Sequence, residues 1–258
     1  MESSLMPLVF IGHGSPANAV ENNEFTRDWE LIAQQIPQPK AILVVSAHWT
    51  TRGLFVLKTP QPKTIHDFYG FPQKLYNMQY PAPGAPEFAD LTLELLKHHP
   101  ADADNTWGLD HGSWSVLVKM YPQAKIPVYQ LSIDYTKSPE YQYKVGQDLL
   151  NLRKKGVLIM GSGNIVHNLG LLNWGGTAYD WALEFDHWTK NAIETRDHDA
   201  LINYQNTGKM ALLSVPTREH YDPMLTILGA SKPDETIRWY AEKCTLGSVS
   251  MRSFTIAG

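Results

Sequence analysis

Cysteine is almost missing from this chain: its 258 residues hold one, Cys244. A single thiol makes neither an intrachain disulfide nor a multi-thiolate cage, so a metal site here must use imidazole and carboxylate. Long apolar runs are missing too. No stretch approaches the ~20 apolar residues of a membrane span, and Met1-Glu2-Ser3-Ser4-Leu5 lacks the basic start and apolar stretch of a secretory leader. We therefore expect a cytoplasmic protein without a membrane partner. Clustered positive charge is also lacking. The formal net charge is -4, and Lys and Arg are scattered, so no nucleic-acid partner is expected. There is no repeat, low-complexity tract or polar linker, which makes 1–258 one expected domain. Nothing in the sequence marks an oligomeric state.

What is present has an ordinary globular composition, 43% hydrophobic and 19% charged. Short apolar runs rich in β-branched residues predict strands over 8–12, 41–47, 54–57, 127–133, 157–161, 211–215 and 248–256. Several are apolar throughout, as strands covered on both faces would be. Apolar residues near helical spacing predict helices over 25–36, 86–98, 112–121, 139–155 and 179–195, two of them opening on proline. The alternation implies an α/β domain with a central mixed, largely parallel sheet flanked by helices on both faces. Residues 59–86 are dense in proline, glycine and aromatics and read as a long functional loop.

Histidine position is the informative feature. Gly12-His13-Gly14, Ser46-Ala47-His48-Trp49, Gly163-Asn164-Ile165-Val166-His167 and Arg218-Glu219-His220 each place a histidine after a predicted strand. Ligands bind outside the carboxyl ends of strands in open α/β sheets, so four imidazoles can converge there. Neutral imidazole suits zinc and non-haem iron. Gly12 and Gly14 allow close backbone approach around His13. His111 precedes a predicted helix, where it can meet an anionic ligand while Asp110 caps. His66 sits in the long loop. His98, His99, His187 and His198 fall on helix faces or ends and are expected to be solvated. The glycine-rich turns 12–15 and 161–164 complete neither a P-loop nor a dinucleotide fingerprint, and no serine lies in a nucleophile elbow. Cys244 reads as a buried apolar residue.

The ordered segments Gly12-His13-Gly14-Ser15-Pro16, Ser46-Ala47-His48-Trp49, His66-Asp67-Phe68-Tyr69-Gly70-Phe71-Pro72, Tyr80-Pro81-Ala82-Pro83-Gly84, Asp110-His111-Gly112-Ser113-Trp114, His167-Asn168-Leu169 and Pro216-Thr217-Arg218-Glu219-His220-Tyr221 resemble the class III extradiol ring-cleaving dioxygenases, in the branch acting on DOPA. They cover nearly the whole chain. The resemblance implies an oxidoreductase that opens a small catechol, such as DOPA, with O2 at one divalent metal, beside rather than between the two hydroxyls. It implies His13, His48 and His220 as metal ligands, His167 as a further ligand or an acid/base, and His111 as a second acid/base or substrate contact. Trp49, His66, Phe68, Tyr69 and Phe71 would border the substrate. Fe(II) is expected for that chemistry. The third ligand position holds His220 where the wider class has a carboxylate, so Zn(II) can occupy the same site. A zinc hydrolase and a non-catalytic metal or ligand binder are the alternatives this leaves.

Overall fold

Strands that are apolar in both phases determine the architecture of this computed structural model, which describes residues 5–258; the reading of Met1–Ser4 lies outside them. In β1 (Leu8–Gly12), Leu8 and Phe10 enter one core while Val9 and Ile11 enter another. β2 (Ala41–Thr51) divides in the same way, with Leu43 and Val45 on one side and Ile42 and Val44 on the other. Successive side chains point to opposite faces, so both faces need a cover.

The other strands are β3 (Leu54–Leu57), β4 (Ala101–Asp104), β5 (Val128–Asp134), β6 (Val157–Gly163), β7 (Thr236–Tyr240) and β8 (Ser253–Ala257). They form one eight-stranded sheet in the order β4-β3-β5-β2-β6-β1-β8-β7. The central β5, β2, β6 and β1 are mutually parallel. β8 is antiparallel to both β1 and β7, and β3 is antiparallel to β5. The expected mixed, largely parallel sheet is therefore present.

Helices α1 (Glu24–Gln35), α2 (Pro86–Leu95), α3 (His111–Met120), α4 (Pro139–Lys154), α5 (Asp180–Glu194), α6 (Lys209–Ser214) and α7 (Asp222–Gly229) supply the cover. Trp29 and Ile32 of α1 and Trp114 and Leu117 of α3 pack on one face. Val145 and Leu149 of α4, Phe185 of α5 and Leu225 of α7 pack on the other. Both α2 and α4 open on proline, whose missing N–H goes unused in a first turn. Among the described residues no helix is long and apolar enough to cross a membrane.

Two strand expectations fail for physical reasons. Residues 211–215 belong to α6 and its end: Ala211 and Ser214 are buried while Leu212 is 72% exposed, a helical spacing filled by strong helix formers. Residues 248–256 are two strands, Val249–Ser250 and β8, interrupted at Met251 and Arg252. Arg252 leaves the ladder to reach buried Asp186 of α5, donating from Nε to both carboxylate oxygens at 3.1 and 3.0 Å. The edge strands β4 and β7 escaped the sequence reading because β4, Ala-Asp-Ala-Asp, has no apolar run and β7 is only partly buried. All eight residues of α7 are buried, so it shows no amphipathic period. The long loop contains a two-residue strand, Lys63–Thr64, and a helical turn, Gln73–Tyr76.

Asp186→Ala should leave the Arg252 guanidinium, whose side chain is 2% exposed, with only the more exposed Glu242 as an ionic partner. We expect a loss of about 3–5 kcal/mol in unfolding free energy, read from urea denaturation; a loss below about 1 kcal/mol would contradict the pair's role in joining α5 to the sheet.

Candidate metal centre

Parallel strands bring their carboxyl ends to one edge, and β2, β6 and β1 are neighbours there. Ser46 pairs with Ser162 and Gly12 pairs with Gly163, which aligns the three strand ends. His13 follows β1 directly. His48 lies inside β2 rather than after it, in the stretch where pairing with β5 slips between Val45 and Thr50. Such an irregularity turns a side chain away from the regular pleat. His220 follows α6, not a strand, and is held against the end of β6 by the Asn164 amide, which donates to the His220 carbonyl at 2.9 Å. A Cβ on Gly163 would lie 2.1 Å from that carbonyl oxygen, so only glycine admits this approach. Gly112 of α3 does the same for His48, whose Cδ2 a Cβ there would meet at 2.9 Å.

The rings of His13, His48 and His220 form a triangle with all three centroid separations 5.1 Å. One nitrogen from each lies within 4.8 Å of the others. His111 sits against His48 at 3.8 Å, and His167 stacks on His220 at 3.4 Å with planes 10° apart. His167 and His220 also group with Glu219, and His48 and His111 group with Asp67. All the histidines at the expected strand-end site therefore meet.

Hydrogen bonds on the outer side of the triangle assign the protons. Ser162 Oγ donates to the Gly112 carbonyl at 2.5 Å, leaving the oxygen to accept from His13 Nδ1 at 3.0 Å. Asn164 Nδ2 donates to the Ser250 carbonyl at 2.7 Å, which turns its Oδ1 toward His220 Nδ1 at 3.2 Å. An amide oxygen only accepts, so His220 carries its proton on Nδ1. Both rings thus keep a bare Nε2. His13 Nε2 lies 3.2 Å from His48 Nε2, a contact that needs a proton or a cation between the two nitrogens. The residues consequently fit one divalent cation, with the outer partners orienting the ligands.

Burial keeps these rings neutral. It holds His13 and His220 well below the usual histidine value, assisted by His48 for His13 and by His167 for His220. His48 is lowered to about 3 by burial and then His111, against the opposing pull of Asp67, and His167 to about 4 by burial and then His111. Beneath them, Asp110 caps α3 by accepting from the Ser113 amide at 3.1 Å, and also accepts from Ser46 Oγ and Gln130 Nε2, both at 2.7 Å. Burial and Asp67 raise the Asp110 carboxyl even so.

The remaining expected residues are more dispersed. Phe68 meets His111 edge-on at 5.7 Å, and His66 donates from Nε2 to the Met78 carbonyl at 2.9 Å beside Phe68 and Trp114. Phe71 packs on Phe68. Trp49 is buried and stacks on Trp107 with centroids 5.6 Å apart, and Tyr69 is 91% exposed at the loop tip. Two expectations of solvated histidine are corrected. His99 is 10% exposed with Nε2 3.2 Å from Asp148, and half-buried His198 accepts from Tyr143 Oη at 2.7 Å. Cys244 is half-buried, its thiol pushed up to about 12 by burial. Sequence reading gave no role to Ser162, Asn164 or Asp67, although the first two stand in a glycine-rich turn and the third beside His66.

Comparison with known proteins puts this fold among the aromatic ring-opening dioxygenases. Residues 7–252 match the family described as the catalytic LigB subunit of aromatic ring-opening dioxygenase, and the chain belongs to that family. It is 45% identical to the 4,5-DOPA dioxygenase extradiol of Escherichia coli strain K12, over 99% of this chain and 96% of that protein. It is 37% identical to the 4,5-DOPA dioxygenase extradiol of Beta vulgaris, over 89% of this chain and 88% of the relative. A crystal structure of an uncharacterized Escherichia coli K12 protein superposes with a TM-score of 0.85 at 41% identity, covering 98% of this chain and 100% of that one. The chain is an oxidoreductase, and the hydrolase and non-catalytic alternatives give way.

Lowered histidine values have a definite consequence for stability. In the unfolded chain these groups protonate near pH 6.5, whereas folded His48 and His167 wait until about 3 and about 4. Their contribution is complete above pH ~6.5 and is lost as acid protonates the unfolded chain and finally the folded one. Metal-free protein should show a falling urea midpoint from pH 7.5 to pH 4.5. His48→Gln should make that fall shallower, by up to about 1.4 kcal/mol per pH unit; an equally steep fall in the variant would contradict the assignment.

Proposed function

We propose that the chain, acting as one catalytic domain over 1–258, is an Fe(II)-dependent extradiol dioxygenase that opens a catechol such as DOPA in the cytoplasm. Its main support is the triangle of three neutral imidazoles, two of which have their outer nitrogens engaged by Ser162 and Asn164. His13, His48 and His220 would hold the metal. Bound there, a redox metal with open positions supplies the means for O2 to react with a singlet aromatic ring.

The chain's own groups would manage protons and orientation. A catechol binds as an anion, so a neutral imidazole must take a proton on entry and return one as the ring opens. His167, neutral down to about pH 4 and stacked on His220, is suited to such a role; we assign it as acid/base rather than as a fourth ligand, because it groups with Glu219 and His220 and not with His13 and His48. His111, against His48 on the opposite side, is assigned as the second acid/base. Phe68 and His66 would border the ring near His111, with Trp49 and exposed Tyr69 further out. Both atoms of O2 enter the product, a ring-opened semialdehyde.

The same all-imidazole set accepts Zn(II), which is redox-inactive and should bind without turnover. Anaerobic Fe(II) loading followed by oxygen and a catechol panel including DOPA should yield a coloured semialdehyde with one O2 consumed per ring. Absence of turnover with every catechol would sink the reading.

Two variants test the assignments. His167→Ala should retain metal while kcat falls about 10²–10⁴-fold; loss of metal would instead make His167 a ligand. Asn164→Ala should weaken Zn(II) affinity about 10–100-fold, measured by competition with a chromophoric chelator, and unchanged affinity would remove Asn164 from the ligand-orienting shell.

A further inference from the structure

One carboxylate joins the long loop to two of the clustered histidines. Asp67 follows His66 in that loop and approaches the first residue of α3. Its Oδ1 accepts from the His111 amide at 2.8 Å. That amide is among the helix N-terminal donors without an intrahelical partner, so the contact fixes the His111 backbone. The other oxygen, Oδ2, lies 3.0 Å from His111 Nδ1 and 3.7 Å from His48 Nδ1. The approach to His111 Nδ1 lies off the ideal hydrogen-bond axis. Such bonds are often misaligned in ligand-free sites and straighten in the complex.

We propose that Asp67 is a positioning residue that holds His111 at backbone and ring together, keeps its proton on Nδ1, and ties it to the neighbouring His48. The assignment rests on the reading of His111 as an acid/base. Neutral imidazole has one proton for two nitrogens. A carboxylate beside Nδ1 draws the proton there and leaves Nε2 as the bare nitrogen able to take one from a catechol hydroxyl. The aspartate beside the histidine of a serine-protease triad works by the same physics, fixing tautomer and orientation without itself reacting. His48 gains the same bias at longer range. Its Nδ1 faces Asp67 while its Nε2 faces His13.

The loop has other anchors, which makes Asp67 removable. Trp114 Nε1 donates to the Ile65 carbonyl at 2.8 Å, and His66 donates to the Met78 carbonyl. Asp67→Ala should therefore fold with a melting temperature near that of the parent.

The test uses Zn(II)-loaded protein with 15N-labelled histidine, so that the tautomer is read without turnover, together with steady-state kinetics of the Fe(II) enzyme. In the parent, His111 should show a protonated Nδ1 and a bare Nε2. In Asp67→Ala the proton should redistribute toward Nε2, with kcat down about 10–100-fold, as for other groups that orient site histidines, and KM changed less than kcat. Asp67→Asn keeps an accepting oxygen and should recover part of that kcat. An unchanged His111 tautomer in Asp67→Ala overturns the inference, as does a loss of kcat matched by a loss of folded protein. A parent enzyme that opens no catechol would defeat the functional reading instead, while leaving the tautomer result intact.

Discussion

Three imidazoles with nitrogens pointing at one another, two of them with a bare Nε2, form the constraint on which the rest of this site depends. Ring centroids 5.1 Å apart, with Nε2 atoms as close as 3.2 Å, do not persist among lone pairs alone. The surroundings answer this arrangement in two ways. Burial removes the option of charging every ring, and acceptors on the far side hold protons on the outer nitrogens of His13 and His220. Ser162 and Asn164 accept those protons only because each is itself committed as a donor, to the Gly112 and Ser250 carbonyls. The orientation of the ligand lone pairs is thus determined by backbone carbonyls one step further out, a rigid arrangement that side chains alone would not supply.

The sheet explains why such convergence is possible. Parallel β2, β6 and β1 end at a common edge, and each contributes a different part: His48 from β2, Ser162 from β6 with Asn164 just beyond it, and His13 after β1. His220 comes from a distant segment and is admitted by the missing side chain of Gly163. Catalytic groups from several strand ends are common in α/β sheets because the carboxyl ends leave a crevice there. Here the crevice is narrow enough that glycine is required at two of the contacts.

Much of this was legible in the sequence. Central strands announced themselves by apolarity in both phases, and His13, His48, His111, His167 and His220 stood out by their local segments. What stayed hidden was set by tertiary context. The edge strand Ala101–Asp104 has no hydrophobic signature because one side of it meets solvent, and Asp222–Gly229 has none because every side of it is buried. The segment 211–215 misled because Ala, Leu and Val are apolar in either period, and only the exposure of Leu212 separates a surface helix from a strand. Asp67, Ser162 and Asn164 carry no distinguishing pattern of their own. Their roles exist only through distances to histidines 19 to 149 positions away in the chain.

The placement of carboxylates completes the electrostatic argument. Asp67, Asp110 and Glu219 all lie near the cluster, yet none belongs to the triangle of His13, His48 and His220. A carboxylate inside the triangle would neutralise part of a bound cation's charge. With imidazoles alone, that charge remains available to an incoming anion, and a catechol that has lost a proton is such an anion. The carboxylates are then free to act on the histidines rather than on the cation. Asp67 does so from the loop side, touching His111 and His48, while Asp110 anchors the start of α3 from below. The division is then between imidazoles that converge on one point and carboxylates that hold them from outside, and it is within this arrangement that His167 can stack directly on His220 while burial keeps it uncharged at neutral pH.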